Sequence, residues 1–377
     1  MAVTATFAGR VGSAVQEAAT KKGGGWFGHH MAAASQAILD RIPLVDLVVE
    51  IRDSRIPFSS AYKYQGRHPS PSKHVIVLNK TDLANRYQTQ KWVKFFDSQN
   101  CGCYGLNSHN KDNVKELLKF LQTQLRELKA CQSNYTATIM LVGIPNVGKS
   151  AIVNSLHQIG RVSAAEKGKL KHATVNPSPG ETKDISSYKI ASHPNVYVLD
   201  TPGVLTPQIL DVEVASKLVL TGAISDSVVG EIELARYFLA ILNSSDAYKR
   251  WEKLISEEDD MLFTDPKQKL LNNSNASKPQ KRQYRTDHTQ DFIVKDVRRT
   301  FFETISSLNG NLQNEKEMVG LIETQFVALH EALRVPSYTG EDGYKRVAIK
   351  LINLCRTGRL GCYTLDPVPV YDQEVTT

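Results

Sequence analysis

Residues Gly143-Ile144-Pro145-Asn146-Val147-Gly148-Lys149-Ser150 stand between an apolar run, Thr138 to Val142, and a helical stretch, Ala151 to Gln158. A strand that turns through a glycine-rich loop straight into a helix rejoins its sheet as a parallel neighbour, because a crossover of that length cannot form a hairpin. The segment therefore confines the chain to an α/β architecture. Its spacing, G-x-x-x-x-G-K-S, also carries chemistry. Glycines let the backbone N–H groups of Asn146, Val147 and Gly148 close around phosphate oxygens, Lys149 brings a point charge to β- and γ-phosphates, and Ser150 is a ligand for Mg²⁺. Chance would produce the pattern on the order of 0.01 times in a chain of this length.

Strand and helix signals alternate on both sides of this loop. Leu44 to Ile51 and His74 to Leu78 read as buried strands, Tyr104 to Leu106 as a shorter one, and Ile185 to Ala191 with Val196 to Leu199 as a hairpin turning at His193-Pro194-Asn195. His30 to Arg41 and Gln90 to Phe96 have helical spacing. Val114, Leu117, Leu118, Leu121, Leu125 and Leu128 mark the apolar stripe of a helix that Asp112 is placed to cap. The order predicts a mostly parallel sheet with helices on both faces. Beyond Pro207 the strand signal stops, and Leu234, Phe238 and Leu242, then Ile322, Phe326, Leu329 and Leu333, repeat at helical spacing. We expect an α/β domain over 26–207 and an all-helical domain over 208–377, interrupted by a flexible polar insertion at about 266–289.

Composition bounds the remaining classes. Of 377 residues, 41% are hydrophobic and 23% charged, which excludes a disordered or fibrous chain, and no apolar run reaches the roughly 18 residues of a membrane span. Five cysteines, an odd number without zinc-ligand spacing, read as reduced thiols. A net charge of +7 leans toward a polyanionic partner. Residues 1–25 hold one carboxylate, Glu17, against Arg10, Lys21 and Lys22, with Phe7, Val11, Ala14, Val15 and Ala18 at helical spacing. A flexible tail and an amphipathic targeting helix fit that composition equally, and peripheral membrane contact stays open with it.

A phosphate loop does not identify the base. Asn79-Lys80-Thr81-Asp82 closes the His74 to Leu78 strand, at the sheet edge where open α/β folds bind ligands. Asp82 can accept both N–H groups on the Watson–Crick edge of guanine, Asn79 can contact the other face of the base, and the Lys80 stem can pack on its ring. Adenine lacks that donor pair, so the two motifs together favour GTP over ATP. Asp200-Thr201-Pro202-Gly203 closes the Val196 to Leu199 strand. There Asp200 can hold Mg²⁺ through water and the Gly203 N–H can meet the γ-phosphate. Thr182, in Pro179-Gly180-Glu181-Thr182, lies between the phosphate loop and Asp200 and is placed to complete Mg²⁺ coordination. Asn107-Ser108-His109, after the short third strand, is the candidate to touch guanine from a backbone N–H.

In Ras-like GTPases the phosphate loop comes first, followed by the switch threonine, D-x-x-G, N-K-x-D and the serine loop. Here N-K-T-D and the serine loop precede the phosphate loop. A site whose loops all leave one sheet edge survives this reordering. In this order the chain resembles the circularly permuted GTPases of the YlqF/RbgA type, ribosome-assembly factors whose plant members are called DAR GTPases. Trp26-Phe27-Gly28-His29-His30-Met31 is similar to the family's W-F-P-G-H-M, Arg52-Asp53-Ser54-Arg55-Ile56-Pro57 to its R-D-A-R-x-P, and Arg356 to Gly361 to its closing R-x-G-x-L-G turn. Gly28-His29 in place of Pro-Gly and Ser54 in place of Ala depart from the pattern, outside the nucleotide motifs.

The resemblance covers nearly the whole chain. It implies a circularly permuted Ras-like P-loop GTPase domain followed by an all-helical domain, and GTP hydrolysis to GDP and phosphate coupled to assembly of the large ribosomal subunit. Among organellar members it implies mitochondria, with plastids as the alternative, and it raises the targeting reading of the N-terminus. Lys149, Thr182 and Gly203 are the catalytic candidates. Asn146 resembles the asparagine that helps bind K⁺ in potassium-activated GTPases. Val204 stands where many GTPases carry a water-orienting Gln, so intrinsic turnover should be slow, with stimulation by K⁺ and the ribosome. The alternatives are a GTP-gated RNA-binding scaffold that barely hydrolyses and, less well supported, a P-loop ATPase or kinase. We expect a monomer that binds ribosomal RNA. Its acid-free basic stretches are Lys345, Arg346, Lys350, Arg356 and Arg359 near the C-terminus, and Lys267, Lys269, Lys278, Lys281, Arg282 and Arg285 in the insertion.

Overall fold

The computed structural model of the protein describes residues 2–20, 26–64, 66, 68–129, 135–163, 184–192, 194–252, 288–308, 310–336 and 340–369. Thr182, most of the polar insertion and its six basic residues lie outside them. The chain forms two compact units. One comprises Ala8–Gly230 and the segment from Cys362; the other comprises residues up to Phe7 with Glu231–Gly361.

The first unit is built on a six-stranded sheet, β1 (Leu47–Asp53), β2 (His74–Asn79), β3 (Gly102–Leu106), β4 (Thr136–Val142), β5 (Ser186–Ser192) and β6 (Asn195–Asp200), in the order β3-β2-β1-β4-β6-β5. All neighbours are parallel except β5 and β6, the expected hairpin, which carries a register shift between Lys189 and Ala191. The first strand begins later than expected. Pro43 starts a short 3-10 turn, Ile42–Leu44, and leaves Leu44 79% exposed. Helices α2 (His29–Arg41) and α3 (Arg86–Ser98) pack on one face, Ile38 and Leu39 against Val48, Met140 and Val142, and Trp92 and Phe96 against Ile76 and Leu78. Alternate strand residues, Leu47, Val49, Ile51, Val75 and Val77, point to the opposite face, where α4 (Lys111–Leu128) and α5 (Lys149–Ser163) pack against each other. The cap of α4 is Asn110 rather than Asp112. Its Oδ1 accepts from the N–H groups of Asp112 and Asn113, at 2.9 and 3.3 Å.

Three further pieces of this unit differ from the expected domain limits. Helix α1 (Ala2–Thr20) stands in place of a loose tail, and its part from Ala8 on belongs to this unit, with Val11 and Val15 buried. Gly12 permits its close seating, since a Cβ there would lie 2.1 Å from Val212 O, and Gln16 Nε2 donates to Leu210 O at 2.7 Å. Helix α6 (Val212–Leu220) lies beyond the expected boundary at 207 and yet belongs here, so the unit runs to Gly230. The reason is a buried polar joint. Lys217, 5% exposed, donates to Asp366 Oδ1 at 3.1 Å, and Asp366 also accepts from Phe58 N, Ser59 N and Ser59 Oγ at 2.7–2.8 Å. Through Asp366 the C-terminal segment returns to this unit instead of finishing the helical one.

The second unit is helical as expected, with α7 (Glu231–Asn243), α8 (His288–Ser306), α9 (Glu315–Ala332) and α10 (Gly340–Arg356). Leu234, Phe238, Leu242, Ile322, Phe326 and Leu329 are all buried, as their spacing predicts. Within that apolar core Asn243 and Gln325 exchange two side-chain hydrogen bonds, at 3.0 and 2.8 Å.

Candidate nucleotide-binding site

Strand register assembles the site. β2 pairs Asn79 with Asp53 of β1 on one side and with Leu106 of β3 on the other, which sets the N-K-T-D loop beside both the Asp53-Ser54-Arg55 segment and the Asn107-Ser108 loop. β4 lies between β1 and β6, so the phosphate loop emerges between Asp53 and Asp200. Two glycines fit there because nothing larger does. A Cβ on Gly143 would lie 2.5 Å from Ile51 O, and one on Gly148, whose φ is +99°, would lie 2.4 Å from Asn79 Nδ2. Asn146 also takes a left-handed φ of 60°.

Asn79, of which a base contact was expected, makes two hydrogen bonds to neighbouring loops. Fully buried, it donates from Nδ2 to Val147 O of the phosphate loop at 2.8 Å and accepts the Ser108 N–H on Oδ1 at 3.2 Å. In the Asn107-Ser108-His109 loop, expected to offer a backbone N–H to the base, the Ser108 N–H is given to Asn79 and Asn107 Oδ1 accepts from His109 N. Asn79 is the pin that joins three loops. Lys80, at φ 62°, sends its ammonium to Asn146 O at 2.6 Å and to Asp53 Oδ2 at 2.9 Å. Asp82 is exposed in the following turn, available to a ligand.

On the phosphate side, Lys149 is 6% exposed and its ammonium donates to Gly143 O and Ile144 O, at 3.0 and 2.9 Å. Burial lowers its pKa to about 8, against the pull of the Asp200 carboxylate. Ser150 Oγ donates to Asp200 Oδ2 at 2.8 Å, whereas Asp200 Oδ1 is buried without a hydrogen-bond partner. Burial raises the Asp200 pKa in spite of Ser150, Lys149 and the Thr201 backbone. A hard oxygen pair with one orphaned acceptor, beside a lysine, suits a magnesium ion bound with phosphate. Gly203 completes the wall. A Cβ on it would come within 2.5 Å of Pro145 Cα, so the D-x-x-G turn touches the phosphate loop directly.

The sequence matches the family described as 50S ribosome-binding GTPase over residues 138–272. It is 56% identical over 377 residues to DAR GTPase 2, mitochondrial, of Arabidopsis thaliana, covering 100% of this chain and 99% of that one. The chain belongs to the circularly permuted ribosome-biogenesis GTPases. It is 40% identical to Short integuments 2, mitochondrial, of the same plant, over 91% of this chain and 89% of that one. It is 36% identical to Ribosome biogenesis GTPase A of Thermotoga maritima, over 53% of this chain and 66% of that one. This GTPase is mitochondrial, as are its two plant relatives.

Two signatures of the permuted GTPase gain a place from the geometry. Trp26 Nε1 donates to Thr206 O at 3.1 Å, fastening the N-terminal signature to the segment that follows D-x-x-G. Asp53 and Arg55 are buried and paired through two side-chain hydrogen bonds, at 2.9 and 2.7 Å. Sequence reasoning attached no chemistry to either, nor to Lys217 and Asp366. The available signal was a pair of opposite charges two residues apart at the end of a strand otherwise buried. Ser54, between them, has a buried hydroxyl without a partner. Val204 is buried among Ile38, Leu39, Val48 and Met140, so its side chain belongs to the core.

Proposed function

We propose that this GTPase acts as a Mg²⁺-dependent switch in assembly of the large subunit of the mitochondrial ribosome, binding ribosomal RNA according to its nucleotide state. The observation that carries the reading is Asn79, whose two hydrogen bonds tie the N-K-T-D motif to the phosphate loop and to the Ser108 loop. A base held by Asp82 and phosphates held at Lys149 would therefore share one rigid frame. Lys149 would exchange the Gly143 and Ile144 carbonyls for phosphate oxygens. Ser150 and, through water, Asp200 would hold Mg²⁺, with Thr182 as a further ligand. When bound, the ion neutralises charge on the β- and γ-phosphates. The Gly203 N–H would report the γ-phosphate to the chain that follows it.

The burial of Val204 supports slow intrinsic hydrolysis, because a core valine neither orients water nor donates to the transition state. It also favours the second reading, a GTP-gated scaffold. Stimulation is proposed from the large subunit and from K⁺ at the Asn146 carboxamide oxygen, whose amide nitrogen is spent on Gly222 O at 2.7 Å. Single-turnover hydrolysis in KCl and NaCl, with and without purified large subunits, tests all of this. Equal rates in the two salts remove K⁺, and no acceleration by subunits leaves the scaffold. A Lys149→Ala protein followed separately for binding, hydrolysis and subunit association separates switch from scaffold.

For RNA, Lys345 and Arg346 are exposed on α10, whereas Lys350 donates to Leu333 O and Arg356 and Arg359 are half-buried. Binding should weaken steeply with salt, and salt-independent binding would refute a phosphate-directed surface. No described helix is long and apolar enough to cross a membrane, and a monomer is proposed.

A further inference from the structure

We propose that Asp53 and Arg55 are positioning residues for guanine-nucleotide binding, acting through Lys80 on the phosphate loop. The proposal rests on the guanine-nucleotide reading above. Its basis is a closed ring of hydrogen bonds. Arg55 grips Asp53 with its fork, Nε on Oδ1 at 2.9 Å and Nη2 on Oδ2 at 2.7 Å, and its backbone N–H adds a third bond to Oδ1 at 3.0 Å. Asp53 Oδ2 in turn receives the Lys80 ammonium at 2.9 Å, and that ammonium donates to Asn146 O at 2.6 Å. Asn146 Nδ2 donates to Gly222 O at 2.7 Å, and the neighbouring Thr221 O accepts from Arg55 Nη2 at 3.3 Å, which closes the ring.

Each link has a physical consequence. An unpaired lysine keeps many rotamers and is drawn to the nearest anion, which in an occupied site is the nucleotide phosphate. A carboxylate fixed at both oxygens by a planar fork holds the ammonium in one place and offsets its charge. The Lys80 ammonium is thereby held between Asp53 at the end of β1 and Asn146 of the phosphate loop, which fixes the far end of a stem that can serve as a platform for the base. Burial alone would raise the Asp53 pKa, but the Arg55 and Lys80 cations hold it well below the ordinary carboxylate range, so the clamp keeps its charge at physiological pH.

A double-mutant cycle separates positioning from general support of the fold. Binding of a fluorescent GDP is measured for the full chain, for Asp53→Asn, for Lys80→Met, which keeps a long stem without the ammonium, and for the double variant. Asp53→Asn is expected to weaken GDP binding roughly tenfold when Lys80 is present and less than about twofold in the Lys80→Met background. Arg55→Lys, which keeps the charge and loses the fork, guards against a misfolded Asp53→Asn protein and is expected to fall between wild type and Asp53→Asn. Equal losses in both backgrounds would show a purely structural role and overturn the proposal, as would unchanged binding in Asp53→Asn or Arg55→Lys. If the wild-type protein itself binds no guanine nucleotide, the functional reading fails and the proposal fails with it. Wild-type binding without coupling overturns the proposal alone.

Discussion

Nucleotide binding should draw a proton from solution, and Lys149 sets how much. In the structure its ammonium is enclosed, with the carbonyls of Gly143 and Ile144 as its hydrogen-bond acceptors and Asp200 as the nearby anion, and burial brings its pKa to about 8. A polyphosphate against the same ammonium restores the charged form. At pH 8 the free site is then about half protonated and the bound site fully so, which gives an uptake of about 0.5 proton per nucleotide, rising to about 0.9 at pH 9 and falling to about 0.1 at pH 7. The same linkage weakens GDP binding about tenfold between pH 7 and pH 9. Titration calorimetry at pH 8 in buffers of different ionisation enthalpy reads the uptake directly, above the range in which the terminal phosphate titrates. Lys149→Met should abolish it. Binding without proton uptake at pH 8 would mean that Lys149 is already fully charged in its loop, and the desolvation reasoning would be wrong.

Three further outcomes follow from local packing. Ser54→Ala removes an orphaned buried hydroxyl and keeps the Ser54 N–H bond to Asn79 O, so thermal unfolding should show a gain of about 1 kcal/mol. Gly9→Ala and Gly12→Ala, three residues apart on α1, should shift stability in opposite directions. Gly9 has nothing within 4 Å of its would-be Cβ and should gain about 0.5–1 kcal/mol, whereas Gly12 meets Val212 and should lose stability in the same thermal scans. If both substitutions are neutral, α1 does not pack as described. Asp366→Ala leaves the buried Lys217 ammonium only the exposed Glu213 carboxylate at 3.4 Å and strands the N–H groups of Phe58 and Ser59, and should cost about 3 kcal/mol in urea unfolding.

The elements that sequence made legible are those with a strong local code. The strand and glycine turn before Lys149, the hairpin around Pro194 and the stripe from Val114 to Leu125 each declare themselves by period or by turn chemistry. Asn79, Lys80, Asp200 and Gly203 meet where one sheet edge requires. Their partners were less legible because those depend on register. Nothing near Asn79 in the chain says that both ends of its amide go to backbone, on loops 29 and 68 residues away. The extent of the nucleotide unit escaped for a similar reason. Val212–Leu220 reads as one more apolar helix, and its membership rests on a lysine whose carboxylate is 149 residues further on. Asn110 caps α4 in place of Asp112 because the choice turns on backbone conformation at one residue, below the resolution of pattern.

Asp366 also dictates an order of events during synthesis. Its carboxylate serves N–H groups 307 and 308 residues earlier in the chain, in the loop that follows β1. At about 5–20 residues per second, roughly 15–60 s pass between the emergence of that loop and of its partner. Once Gly203 has been made, about half-way through this interval, every nucleotide motif is present, yet Phe58, Ser59 and then Lys217 wait without the group that joins them. The unit that carries the nucleotide motifs is therefore closed only after Glu231–Gly361 has been made, and a chain broken off between Gly203 and Asp366 carries the full set of those motifs around an unclosed joint.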